Sequence, residues 1–131
     1  MTPRQQEYIK AWLQNAADDL ASAQRLLEIE PMILNSACFH CQQATEKSLK
    51  AFLFFRGNEA KRTHDLSFLI DQCAQFDTIF EAIDILNLNE FAVNDARYPG
   101  FNLTPDAEEA RTLYQLALEI NSLVKERIIF P

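Results

Sequence analysis

The stretch that decides the fold is NSACFHCQQATEKSLKAFLFFR, residues 35–56. It is followed by Gly57, and glycine commonly takes the left-handed conformation that closes a helix. The pattern predicts a helix that begins at Leu34 or Asn35 and runs to Arg56. At about 100° per residue, one face collects small and apolar side chains and is expected to pack in the core. Its members are Ala37, Cys41, Ala44, Ser48, Phe52 and Phe55, with Leu34 and Ala51 at its flanks.

The same helix carries a second, polar arc, roughly 130° away from the core face. We call this arc the polar stripe; it consists of Ser36, His40, Gln43, Lys47 and Lys50. Charged residues on a helix usually form its solvated side, supported by pairs four residues apart such as Glu46 with Lys50. Periodicity therefore leaves two interpretations open, a solvated face and a binding surface.

The start of the chain carries its own helix signal. Residues 2–5, Thr-Pro-Arg-Gln, combine an N-cap, a first-turn proline and a capping-box glutamine. Apolar residues then recur at three- and four-residue steps up to Glu30, where Pro31 breaks the pattern. A long first helix is therefore predicted.

Three more helices are predicted towards the end of the chain. A short one begins at residues 64–66, after a basic turn, and a fourth runs from Asp77 to before Pro99, with a weak point at residues 87–89. The apolar residues of this fourth helix are Ile79, Phe80, Ile83, Leu86 and Val93. The sequence Thr-Pro-Asp at 104–106 reads as an N-cap, a first-turn proline and a first-turn acid, and it predicts the start of a fifth helix that ends near residue 127.

These segments together predict an all-α fold, a four- to five-helix, mostly antiparallel up-and-down bundle that forms one domain over residues 1–131. The chain has 131 residues, only two glycines and 48% hydrophobic residues, which suffices for a core and argues against a β-rich or disordered protein. No apolar run approaches the roughly 20 residues that cross a bilayer. Three cysteines and the lack of a signal-like start favour the reducing cytoplasm.

The overall charge argues against a protein that coats nucleic acid or anionic membrane through its general field. The formal net charge is −7. The distribution is uneven, however, because five of the twelve basic residues fall within one short stretch: Lys47, Lys50, Arg56, Lys61 and Arg62. The sequence therefore leaves open the interpretation that a local basic patch lies on an otherwise acidic protein.

Some of these residues are candidates for an anion site. His40 and His64, together with Lys47, Arg62 and Arg97, could hold a nucleotide phosphate. The alternative is structural: the second histidine is only a cap at a helix start, and Arg97 only ties a turn to the bundle.

Metal and cofactor chemistry find little support in the sequence. Cys38, His40 and Cys41 lie close together, but no second pair of ligands completes a tetrahedral site, so no metal is predicted. The chain has only two glycines and two histidines, and their positions match neither a glycine-rich phosphate-binding loop nor a Ser-His-Asp triad. No cofactor is predicted either.

Three pieces of sequence resemble the HEPN family. They are FHCQQATEKSLKA at residues 39–51, His-Asp-Leu at 64–66, and Arg-Tyr-Pro at 97–99. They resemble the family pattern H-x-Q-x-A-E-K-x-L-K-A, its H-D-L helix start and its R-Y-P ending. The matching positions are His40, Gln42 or Gln43, Ala44, Glu46, Lys47, Leu49, Lys50, Ala51, His64, Asp65, Leu66, Arg97, Tyr98 and Pro99. The first helix fits as well, so the resemblance spans nearly the whole chain.

The resemblance implies nucleotide binding, partnership with minimal nucleotidyltransferases, or metal-independent RNA cleavage. The RNA-cleaving members carry an Arg followed by four to six residues and a His, which move protons and stabilise the phosphorane. After Arg97, the corresponding positions hold Asn102, Leu103 and Thr104, and no histidine follows His64. A ribonuclease of that type is therefore disfavoured, and no catalytic residue is assigned.

The leading prediction is a nucleotide- or RNA-binding subunit, a homodimer that partners a minimal nucleotidyltransferase in a toxin–antitoxin-like system. Two alternatives stay open: a divergent ribonuclease that uses His40 or His64, and a structural oligomerisation module whose exposed Phe54 marks an interface. The predicted ligand-binding residues are His40, Gln43, Lys47, Lys50, His64, Arg97 and Tyr98.

Overall fold

The computed structural model describes residues 1–92 and 105–131, and within these ranges it contains helices and no strand. The α-helices are α1 (Pro3–Glu28), α2 (Leu34–Phe55), α3 (Leu66–Ala74) and α4 (Ala107–Arg127). Two short 3₁₀ helices, Thr78–Ala82 and Leu88–Phe91, lie between α3 and α4. The predicted all-α fold is confirmed.

The helix starts show why these segments fold locally. The capping box at Thr2 is present: the Gln5 backbone N–H donates to Thr2 Oγ1 at 3.1 Å, and the Thr2 backbone N–H donates to Gln5 Oε1 at 2.8 Å. Asp106 caps α4 by accepting from the Glu109 backbone N–H at 2.8 Å. Pro105 therefore lies before this helix, whereas the sequence placed it in the first turn.

The predicted helix from Asp77 is wrong, and short-range polar contacts explain the difference. Asp77 accepts from the Ile79 backbone N–H, and Asp84 accepts from the Leu86 backbone N–H, which favours turns over a continuous helix. Ile83 is extended and Leu86 has a φ of 53°, so the backbone leaves helical geometry twice. Val93, the last apolar residue predicted for this helix, lies outside the described residues.

The central element is α2, which packs against α1, α3 and α4. Thirteen of its 22 residues are buried. Its expected core face is buried except for Phe55 and Leu34, which are half-buried. Gln42, Thr45 and Leu49, which do not belong to that face, are also buried, so α2 has neighbours on nearly all sides.

Contacts between side chains give the directions of the long helices. Asp19 contacts both His40 and Lys47, and Tyr8 further back on α1 contacts Phe54, so α1 runs antiparallel to α2. Asn121 on α4 donates to Ser48 at 3.0 Å. The α1–α2 hairpin brings the middle of α1 against the polar stripe, and this juxtaposition positions the candidate site.

Candidate functional site

Asp19 on α1 holds two residues of the polar stripe. Its Oδ1 lies 2.8 Å from His40 Nδ1, and its Oδ2 lies 2.6 Å from Lys47 Nζ. His40 and Lys47 are seven residues apart, which is two helical turns, so both side chains leave α2 on the same side. One carboxylate therefore fixes an imidazole and an ammonium group at the α1–α2 contact.

Glu46 makes a second group of the same kind. Its Oε1 lies 2.8 Å from His64 Nδ1, and its Oε2 lies 3.1 Å from Lys50 Nζ. The Lys50 ammonium also lies 5.7 Å from the centroid of the Trp12 ring, within the range of a cation–π contact. This second group ties α2 to His64, two residues before α3, and to Trp12 of α1.

Two glutamines extend the second group along α2. The Gln43 Nε2 donates to Gln42 Oε1 at 2.7 Å, and the Gln42 Nε2 donates to the His64 backbone carbonyl at 3.0 Å. Gln42 is completely buried, so these bonds satisfy an amide that has no access to water. We call the whole set the polar network; it consists of Asp19, His40, Gln42, Gln43, Glu46, Lys47, Lys50 and His64.

Burial within the polar network is graded. The side chains of Glu46 and Lys50 are 6% and 9% exposed, whereas the His64 side chain is 52% exposed. The side chains of His40 and Lys47 lie between these extremes. The interpretation of the whole stripe as a solvated face is therefore wrong for Lys50, and its neighbour Glu46 is buried as well.

Both imidazoles are oriented in the same way. Each bonds to a carboxylate through Nδ1, and within residues 1–92 and 105–131 no hydrogen bond reaches the Nε2 of either ring. A neutral histidine whose Nδ1–H donates to a carboxylate keeps Nε2 as a base or an acceptor, while a protonated one donates from Nε2. The Nε2 atoms of the two histidines can thus form hydrogen bonds with a ligand or transfer protons.

The charges of the network balance almost completely. Two carboxylates, Asp19 and Glu46, face two ammonium groups, Lys47 and Lys50, so protonation of the histidines decides the net charge. The adjoining turn adds Lys61 and Arg62, both exposed. Among the described residues of this region, the cations without an ion pair are therefore those of the turn rather than the two network lysines.

The structure places the predicted site residues that it describes in two groups. His40 and Lys47 meet at Asp19, Lys50 and His64 meet at Glu46, and Gln43 joins the second group. Arg97 and Tyr98 lie outside the described residues, as do the motif positions 102–104. The cap at the start of α3 is Asp65, which accepts from the backbone N–H groups of Ser67 and Phe68, so His64 is not the cap of this helix.

Asp19 and Gln42 were not among the predicted site residues. Asp19 lies among Ala16, Leu20 and Ala23 on the buried side of α1. A lone acid on an apolar helix face is costly unless it is paired. The placement of Asp19 on an apolar helix face was therefore the signal in the sequence that could have identified it as a site residue.

Phe54 is packed, which corrects the expectation of an exposed interface aromatic. Its ring centroid lies 5.0 Å from that of Tyr8 and 5.6 Å from that of Trp12, and its side chain is half-buried. These contacts belong to the α1–α2 interface, so Phe54 first serves the packing of the fold.

The three cysteines are buried and reduced. Burial raises the pKa of Cys38 and of Cys73 to about 12, and it raises the pKa of Cys41 further still.

Within the described ranges, no three His, Cys, Asp or Glu side chains form a group that could hold a metal ion. Among the same residues, no helix has both the length and the apolar character needed to cross a membrane.

The fold and site define a small helical bundle whose central helix carries a histidine–carboxylate–lysine network. The HEPN domain model matches residues 9–127. The chain therefore belongs to the HEPN family. The crystal structure of an archaeal HEPN homologue superposes with a TM-score of 0.66 at 27% sequence identity, covering 92% of this chain and 98% of that one. A comparison with curated proteins finds no match.

Proposed function

We propose that this chain is a nucleotide- or RNA-binding subunit that uses the polar network and the adjoining basic turn. The observation that carries the proposal is the pair of histidines whose Nδ1 atoms are held by Asp19 and Glu46 and whose Nε2 edges are unbonded within the described residues. When the imidazoles are protonated, each Nε2–H is a donor held in place by its carboxylate, and such donors beside exposed Lys61 and Arg62 suit a phosphate. Membership of the HEPN family supports the same class of ligand.

Binding of a fluorescein-labelled 12-nucleotide RNA and of ATP tests this proposal. Arg62→Ala removes an exposed cation without disturbing the network, and it should weaken RNA binding several-fold and lower the salt dependence by about one counterion. Lys125→Ala removes an exposed cation on α4 and serves as the matched control. No binding at low salt, or equal losses in both variants, would contradict the proposal.

Partnership is the second part of the proposal. By its resemblance to HEPN subunits, the chain is proposed to form a homodimer that assembles with a minimal nucleotidyltransferase in a toxin–antitoxin-like pair in the cytoplasm. Light scattering of the isolated chain, and of the chain co-expressed with a nucleotidyltransferase encoded beside it, measures both assemblies. A monomer that never co-elutes with the transferase would rule out this part and leave RNA binding to its own test.

A second candidate function is metal-independent RNA cleavage, favoured by the two histidine–carboxylate pairs. A 2′-hydroxyl attack on the adjacent phosphorus needs a base to remove the hydroxyl proton and an acid to protonate the leaving 5′-oxygen. In this candidate, one imidazole Nε2 acts as the base, the other acts as the acid, and a lysine stabilises the phosphorane charge. The products are a 2′,3′-cyclic phosphate and a free 5′-hydroxyl.

Cleavage of transfer RNA in the presence of a chelator tests this candidate. His64→Ala and His40→Ala should each lower the rate at least about 100-fold, and the cyclic-phosphate end should be detectable on the product. His64→Gln is a variant that keeps a polar side chain but cannot shuttle a proton. Equal cleavage by all of these proteins would identify a contaminating nuclease.

A further inference from the structure

A groove of about 800 Å³ lies between the start of α1 and the end of α2. Tyr8, Ile9, Phe54 and Phe55 supply most of its apolar lining, and Arg4 with Arg56 supply its cationic side chains. No residue of the polar network lines it. The groove is therefore a separate feature, at the end of the helical hairpin.

The apolar lining is fixed in place before any partner binds. The Tyr8 ring stands edge-on to Phe54 at 5.0 Å, which restricts its rotation. Tyr8 is nevertheless 51% exposed, and Met1 beside it is 48% exposed. Ordered aromatic surface that stays open to water is typical of sites that a second macromolecule covers.

The two arginines give this groove a positive potential on an otherwise acidic chain. The Arg56 guanidinium lies 5.1 Å from the centroid of the Phe76 ring, and this contact leaves its N–H groups available. Within residues 1–92 and 105–131, neither Arg4 nor Arg56 forms an ion pair, and Glu59 is the one acid among the described lining residues. The positive end of the α1 dipole adds to the same potential.

Three occupants are conceivable, and the observations favour one. A small molecule in a good pocket loses roughly 70–90% of its surface, which a groove with a half-exposed tyrosine does not provide. A second copy related by a two-fold axis would bring Arg4 and Arg56 towards their own symmetry mates. A partner segment with apolar and acidic side chains meets both the aromatic lining and the unpaired arginines.

We propose that this groove docks an amphipathic segment of a partner protein, whose apolar side chains cover Tyr8 and Phe54 and whose carboxylates pair with Arg4 and Arg56. Arginine, tyrosine and phenylalanine are enriched in the cores of protein interfaces, in agreement with this occupant. The proposal stands independently of nucleotide or RNA binding by the polar network.

Selection from a displayed library of random 16-residue peptides tests the proposal. Peptides retained by the native chain should share aromatic or aliphatic residues interspersed with Asp and Glu. For a synthesised peptide of that consensus, the double variant Arg4→Glu, Arg56→Glu should raise the Kd at least about tenfold. The control is Arg25→Glu with Lys125→Glu, which reverses two exposed charges outside the groove and should leave the Kd unchanged.

Tyr8→Ser provides a second test that removes the aromatic surface while keeping both charges. It should weaken the same peptide at least about tenfold; thermal melting of each variant establishes that it is folded. The proposal is overturned if no consensus emerges, if the consensus lacks acids, or if the double charge reversal leaves binding intact. Displacement of the peptide by ATP, or a native dimer that Tyr8→Ser dissociates, would also overturn it in favour of the other occupants.

Discussion

The Asp19 carboxylate on α1 lies 2.6 Å from the Lys47 ammonium on α2, and its other oxygen holds His40. Asp19→Ala would leave a partly buried ammonium without its counter-charge, which costs more than the loss of an exposed pair. Because Lys47 keeps 24% of its side-chain exposure, we expect a loss of about 2 kcal/mol in the free energy of unfolding. Urea unfolding at pH 7 measures this loss.

Asp18 provides the control for this prediction, since it is the adjacent acid on α1 but is exposed. Asp18→Ala should change the free energy of unfolding by less than about 0.5 kcal/mol. If the two variants unfolded at the same urea concentration, the Asp19–Lys47 contact would not contribute as the geometry indicates.

The sequence predicted the fold best where a particular residue type marks the end of a helix. The capping box at Thr2 and the left-handed Gly57 depend on residues near in sequence, and both lie where they were predicted. The helix predicted from Asp77 failed because side-chain contacts of Asp77 and Asp84 stabilise turns that apolar periodicity does not reveal. The periodicity argument uses only the positions of apolar residues, so it does not take these competing hydrogen bonds into account.

For the site, the arrangement of residues within one helix was predicted and their partners on other helices were not. Spacing placed His40, Gln43 and Lys47 on one arc of α2, and the structure keeps them on one side of that helix. Their partners could not be predicted from the helix alone, because Asp19 is 28 residues from Lys47 and reaches it only through the α1–α2 hairpin. The burial of Lys50 likewise depends on the approach of Trp12 from α1.

Phe54→Glu should destabilise the chain, because it replaces a ring that packs against Tyr8 and Trp12 with a charge. We expect a loss of about 2 kcal/mol in the free energy of unfolding, less than for a fully buried ring since Phe54 is only half-buried. Trp12 is the sole tryptophan of the chain, so its fluorescence reports the loss of this contact directly. Ile129→Glu, at a position 75% exposed, is the control and should leave both signals unchanged.

Gly57→Ala should destabilise the end of α2 for a reason confined to the backbone. Gly57 has a φ of 77°, and a Cβ added there would meet no atom within 4 Å, so no steric clash contributes. The left-handed conformation alone costs an alanine about 1 kcal/mol. Asn tolerates this conformation better, so Gly57→Asn should lose clearly less than Gly57→Ala in thermal unfolding. Equal losses would point to a cause other than backbone conformation.

The three buried thiols should make the folded state lose stability in alkali. Burial raises the pKa of Cys38 and Cys73 from about 9.0 to about 12, and it raises that of Cys41 in the same direction. The unfolded chain therefore releases thiol protons at a lower pH than the folded chain does. The contribution of these thiols to stability is complete below pH 9 and decreases as the pH rises from about 9 towards 12.

Cys73→Ala tests this dependence, since it removes one raised pKa from a buried position. Urea unfolding at pH 8, 9, 10 and 11 should show a shallower decline for the variant, by up to about 1.4 kcal/mol per pH unit. Below pH 8 the two proteins should differ by a constant amount, because neither state then releases thiol protons. Parallel curves from pH 9 to 11 would mean that the Cys73 thiol titrates alike in the folded and unfolded chain, contrary to its burial.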